Sequence, residues 1–87
     1  MVSKKLTIVN AQGFHMRPAS TFATAMAKYS SDVTIKHNGN DVNAKSLMNI
    51  IAACIKCGHE VEIVADGADE AAALDEAVKM IESGFGE

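Results

Sequence analysis

Tryptophan is absent from this chain, tyrosine occurs once and phenylalanine three times. Aromatic rings therefore cannot dominate the core, which must be built from aliphatic residues, alanine and five methionines. Proline occurs once and glycine six times, against 48% hydrophobic residues, which excludes a disordered chain. Strongly apolar runs are short. The longest charge-free one, Ser46 to Ile55, stops far short of the roughly 20 residues that cross a bilayer. Met1 to Leu6 carries two lysines but no long apolar run follows, so no signal peptide is expected. A basic excess is missing as well. Eight Lys plus Arg against eleven Asp plus Glu leave a formal charge of −3. The lysines and the single arginine are scattered without an aromatic ladder, so direct nucleic-acid binding is not expected. A soluble cytoplasmic protein, not embedded in a membrane, is the expectation.

Length excludes more. At 87 residues the chain suits one domain, 1–87, burying roughly 60–65% of its unfolded surface. Two-domain dinucleotide enzymes, (β/α)₈ barrels and deep interdomain clefts are ruled out. Cys54 and Cys57 form a lone Cys-Ile-Lys-Cys. A redox pair or half a metal site, with His59 nearby, is one reading. Two small apolar side chains around a helix end is the plainer one, because a single CxxC lacks a complete ligand set. No metal and no cofactor are expected, although the spacing permits an adventitious disulfide.

Periodicity supplies the elements. Residues 2–9 alternate as a strand with Leu6 and Ile8 inward, and Asn10-Ala11-Gln12-Gly13 breaks the pattern. Pro18 is tolerable in a helix's first turn, where its missing N–H costs nothing. Ala19, Phe22, Ala23, Met26 and Ala27 then recur at helical spacing, with Tyr29 extending the stripe. Asp32 to His37 alternates with Val33 and Ile35 on one face. Asn38-Gly39 is a strong hairpin signal, returning through a short strand, Asp41 to Asn43. Ser46 is a plausible N-cap for a brief helix with Leu47, Ile50 and Ile51 on one face, and Gly58 ends that region. Val61, Ile63 and Ala65 alternate as a fourth strand. Asp69 can cap a third helix striped by Leu74, Ala77, Val78 and Ile81, with Gly84 just past its end. The order is β-α-β-β-α-β-α. Strands that alternate need one wet face, so the fold class is α+β, an open-faced sandwich with helices on one side.

His15 is the residue most suited to chemistry. It lies between a glycine-containing turn and a helix beginning near Met16, followed by Arg17. Helix-start amides and a guanidinium both favour an incoming phosphate. An imidazole with its ordinary pKa of about 6.5 offers a nucleophilic nitrogen near neutrality. Attack on phosphorus would give a phosphoramidate of high transfer potential. On local chemistry alone, an ordinary capping histidine beside a solvated arginine stays open. Ser46 likewise needs no function as an N-cap, although flanking Lys45 and apolar Met48 would suit a recognition surface. His37 and His59 read as solvated surface positions, and Lys4-Lys5 as edge-strand charges.

Two stretches change the balance. Gly13-Phe14-His15-Met16-Arg17-Pro18-Ala19 and Lys45-Ser46-Leu47-Met48 resemble the active-site and regulatory-serine motifs of the histidine-containing phosphocarrier family, HPr, of the bacterial phosphoenolpyruvate-dependent sugar phosphotransferase system. Lys28-Tyr29, Asn38-Gly39 and Gly67-Ala68-Asp69-Glu70 fall in family-like places, so the resemblance covers essentially the whole chain. It implies a four-stranded antiparallel sheet of order 1-4-2-3 with three helices on one face. It implies that His15, through Nδ1, accepts phosphate from phosphorylated enzyme I and passes it to the IIA domain of a sugar permease, with Arg17 steadying the phosphate. It implies that Ser46 is phosphorylated by an ATP-dependent HPr kinase/phosphorylase, with binding to a transcriptional regulator in catabolite control. Phe14, Met16, Leu47, Met48 and Ile51 are candidates for an apolar docking rim. Such a protein is a co-substrate rather than a stand-alone catalyst, and a monomer is expected. Phe14, Asn49 and Cys54 depart from the family pattern, which bears on partner preference. A small interaction protein in which only a phosphoserine matters, not serving transport, is the alternative.

Overall fold

A computed structural model describes residues 1–10 and 13–86. Its elements run β1 (Val2–Thr7), α1 (Met16–Ala27), β2 (Asp32–His37), β3 (Asn40–Asn43), α2 (Leu47–Ala52), β4 (Glu60–Asp66) and α3 (Glu70–Glu82), followed by a short 3₁₀ turn, Gly84–Gly86. The strands form one antiparallel sheet in the order β1-β4-β2-β3. Ala11 and Gln12, which the sequence assigns to the break before His15, lie outside the described residues.

Strand alternation sorts the side chains between the two faces. Leu6, Val33, Ile35, Val42, Val61, Ile63 and Ala65 are buried beneath the helices, while Lys5, Thr7, Lys36, Asp41 and Asn43 are exposed. Ile63 of β4 sits between Lys4 of β1 and Ile35 of β2. The Lys4 stem shares the inward parity, yet its ammonium reaches 3.7 Å from Glu82 at the end of α3, an amphipathic side chain extending its head to water. The β2–β3 connection turns at Asn38 and Gly39, with φ of 51° and 80°. That double left-handed backbone is what an Asn-Gly hairpin is suited to adopt.

Helix stripes complete the core. Ala19, Phe22, Ala23 and Met26 of α1, Ile50 of α2, and Ala73, Ala77 and Ile81 of α3 are buried, each large side chain adding about 1.5–3 kcal/mol. Ala27, expected on the α1 stripe, is exposed as the last residue of the helix. Tyr29 packs against the core instead and donates from its hydroxyl to Glu76 on α3 at 2.5 Å. Three local expectations are corrected. Asp69 is the N-cap residue of α3, but its carboxylate turns away from the helix and accepts from the Ser30 and Ser31 amides, at 2.9 Å each, and from the Ser31 hydroxyl. The chain leaves α2 at Cys54, φ 53°, before Gly58 is reached. His37 is 6% exposed, since it repeats the inward parity of Val33 and Ile35 and lies against His59.

Candidate functional site

The residues before α1 are fixed from beneath. Gly13 has φ 63° and lies so close to the segment after α2 that a Cβ there would stand 2.5 Å from both the Ile55 carbonyl oxygen and Lys56 Cα. Only glycine meets both demands. The Gly13 N–H donates to the Asn10 carbonyl at 3.0 Å, and the Phe14 N–H donates to the Ile55 carbonyl at 2.9 Å. Asn10 Nδ2 closes the loop by donating to the Gly13 carbonyl at 2.6 Å.

Phe14 is the corrected member of the expected docking rim. It is 4% exposed and packs among rings, 5.4 Å from Phe22 and 4.8 Å from Phe85 between centroids. An aromatic adjoining His15 thus anchors the loop in the core, where burying a phenyl ring gains far more than presenting it to water. Phe85 was not singled out by sequence. The signal lay in its position just after Gly84, since a helix ending in a C′ glycine commonly places an apolar residue next to fold back on the helix.

His15 follows as the N-cap residue of α1, with extended φ −76° and ψ −177°, and its carbonyl accepts the Ala19 N–H at 3.0 Å. It is half-buried, and Arg17 in the first turn is exposed. Pro18 is buried in the same turn, contributing apolar surface without an N–H that the helix would leave unused. The first turn holds no carboxylate, so nothing there opposes the positive end of the helix dipole. An anion approaching His15 meets helix-start amides and a guanidinium.

Ser46 caps α2 as the sequence suggests. Its backbone is extended, φ −109° and ψ 110°, and its hydroxyl accepts the Asn49 N–H at 3.3 Å. Neighbouring Lys45 is less available than its position implies, because its ammonium donates to the Tyr29 carbonyl just past α1 at 2.7 Å. Helices α1 and α2 pack against each other. Their first turns expose Met16 and Met48, at 65% and 76%, whereas Leu47 and Ile51 are half-buried against the core. The apolar surface therefore consists chiefly of two methionines, whose flexible thioethers adapt to differently shaped partners. Cys54 and Cys57 are both exposed thiols. Among the described residues no cluster of three or more His, Cys, Asp or Glu side chains has the arrangement of a metal site, and no helix is long and apolar enough to cross a membrane.

Comparison with known proteins follows the same lines. The family model described as the PTS HPr component phosphorylation site matches residues 2–83. The phosphocarrier protein HPr of Treponema pallidum is 36% identical over 87 residues, covering 100% of this chain and 99% of its own. That of Borreliella burgdorferi is 40% identical over 83 residues, covering 95% and 96%. The crystal structure of HPr-C-His from Thermoanaerobacter tengcongensis superposes with a TM-score of 0.96 at 38% identity, covering 100% of this chain and 98% of that one. With matching sheet order, helix placement and near-complete coverage, the chain belongs to the HPr family of phosphotransferase-system phosphocarriers.

Proposed function

We propose that the chain carries phosphoryl groups on His15, taking them from phosphorylated enzyme I and passing them to the IIA domains of sugar permeases. The observation that carries this reading is the seat of His15: the N-cap residue of a 12-residue helix, with Arg17 in a first turn free of carboxylates. On acceptance, an imidazole nitrogen bonds to phosphorus as the donor's bond to it breaks, with the two roughly in line. The first-turn amides and Arg17 draw the phosphate oxygens without supplying a nucleophile of their own. Both partners must reach the same imidazole, so the protein serves as their shared co-substrate.

Ser46 is the regulatory site in this reading, modified by the HPr kinase/phosphorylase and then recognised by a catabolite-control regulator. What supports it is a partly accessible hydroxyl beside Met48, which is 76% exposed. A phosphate there adds about −1.5 to −2 charges to an apolar surface that a partner of His15 must cover.

Incubation with phosphoenolpyruvate and enzyme I, followed by mapping of the labelled residue, tests the reading. One acid-labile phosphate on His15 is expected, and His15→Ala should take up none while keeping its native circular dichroism. Label on another residue, or undiminished uptake by His15→Ala, would refute it. Prior phosphorylation of Ser46 should slow the uptake without unfolding the chain.

A further inference from the structure

Two histidines outside the phosphate site face each other where the β2–β3 hairpin meets the chain leading into β4. Their rings lie nearly parallel, with centroids 5.1 Å apart and planes 19° apart, and His37 Nε2 lies 3.0 Å from His59 Nδ1. One further contact decides which nitrogen carries which hydrogen. The Lys56 backbone N–H points at His59 Nδ1 from 3.3 Å. An amide N–H only donates, so His59 Nδ1 presents its lone pair and cannot also donate to His37. His37 Nε2–H is therefore the donor across the pair, and the hydrogen of neutral His59 sits on Nε2.

The same histidine secures the segment on which the phosphate site rests. The His59 N–H donates to the Lys56 carbonyl, and its carbonyl accepts the Ile8 N–H, both at 3.0 Å. Ile55 and Lys56 are in turn the residues that receive Gly13 and Phe14. An unbroken series of contacts thus runs from His37 through His59 and Lys56 to the backbone that immediately precedes His15.

We propose that the His37–His59 pair is a proton-operated positioning device for His15: when neutral it holds the Ile55–Lys56 segment beneath the active loop, and protonation of His59 Nδ1 releases it and slows phosphoryl acceptance. The proposal rests on reading His15 as the acceptor. A hydrogen on His59 Nδ1 would confront two N–H donors, so the ring must turn from both. Protonation of His37 at Nδ1 would preserve its donor but place a charge on a buried ring. Burial first, and then the His59 ring, holds the His37 pKa below its ordinary value of 6.5. Below that value the unfolded chain binds more protons at this residue than the folded one, so His37's contribution to stability is complete above about pH 6.5 and declines as pH falls toward its lowered folded pKa.

Among the described residues, the charged groups that line the cavities beside one ring or the other are Lys5 of β1, Lys36 of β2, Asp41 of β3, and Glu60 and Glu62 of β4, and Lys56 of the segment itself meets His59. α2 and the residue after it bring Asn49, Ala52 and Ala53, none of them charged, to the cavity that His37 lines.

The test compares initial rates of His15 phosphorylation from acid to alkaline pH for the wild type, His59→Asn and His59→Leu. Asparagine keeps an acceptor oxygen near the place of Nδ1 but takes no proton, whereas leucine keeps no acceptor. The donor and every other residue are the same in all three, so the rate ratio isolates the pair. The wild type to His59→Asn ratio should be level above neutrality and fall about tenfold under acid conditions, the scale of a modest misplacement of reacting groups. His59→Leu should be slow throughout. A ratio that stays level across the range overturns the proposal. Amide spectra supply a readout independent of phosphoryl transfer, and on the wild type alone. Phe14 and Ile55 should show an inflection as pH falls, and His59 Nδ1 should carry no hydrogen at neutral pH. A protonated Nδ1 there, or a missing inflection, overturns the proposal even if the variants fail to fold. The inflection without phosphate uptake at any pH would instead condemn the reading of His15.

Discussion

Replacing Gly13 by alanine tests whether the backbone after α2 seats the loop that leads into His15. The substitution meets two costs. A Cβ in left-handed backbone, at φ 63°, costs about 1–2 kcal/mol. That Cβ also stands 2.5 Å from the Ile55 carbonyl oxygen and Lys56 Cα, which are backbone atoms and cannot swing aside. The segment must shift and weaken the Phe14 to Ile55 hydrogen bond of 2.9 Å, worth about 1 kcal/mol. The sum is about 2–3 kcal/mol, or a fall in Tm of roughly 10–20 °C for a domain of this size. Gly39→Ala is the control. Its φ is 80° with nothing within 4 Å of the added carbon, so it bears the conformational cost alone. Urea denaturation with matched m-values measures both, alongside the rate of phosphate uptake. Gly13→Ala should be the less stable by about 1 kcal/mol or more and the slower acceptor. Equal losses in the two variants, with unchanged uptake, would show that the Ile55–Lys56 contact does not seat His15.

Three further outcomes follow from the same contacts. Phe14→Ala should lose about 3–5 kcal/mol in denaturant unfolding, while Met48→Ala should change stability by less than about 0.5 kcal/mol and raise the apparent KM for enzyme I; the reverse assignment would return Phe14 to the docking rim. The Ser31 hydroxyl, followed by the Ser30 amide, holds the Asp69 carboxyl down from 3.8 to about 2, so its contribution to stability is present above pH 3.8 and is lost as pH falls through about 2; acid unfolding of Asp69→Asn should lack that component. Cys54→Gly should gain about 0.5–1 kcal/mol, because Cys54 occupies left-handed backbone at φ 53°, and a loss in thermal unfolding would contradict this account of the α2 terminus.

Short-range physics makes much of this protein legible in its residue order. Asn38-Gly39, the alternation through Val33 and Ile35, the N-cap at Ser46 and the turn-then-helix setting of His15, Arg17 and Pro18 each depend on residues a few positions apart. Sequence alone therefore determined the elements and their layering and singled out His15 at the α1 start, with the strand order coming from family resemblance. It did not determine which way contested side chains face. His37 had the inward parity of its strand, but its neighbouring hairpin turn suggested exposure; its partner His59 lies 22 residues away. Phe14 could equally have lined a docking surface, until Phe22 and Phe85 surrounded it. Asp69 had a cap's position, yet it bonds Ser31 across a separation of 38 residues, as Tyr29 bonds Glu76 across 47. The sheet order β1-β4-β2-β3 sets strands distant in sequence side by side, and the helices pack over them in turn. Only that closure brings these groups together, since a preference within one turn of chain carries no information about what will lie opposite it.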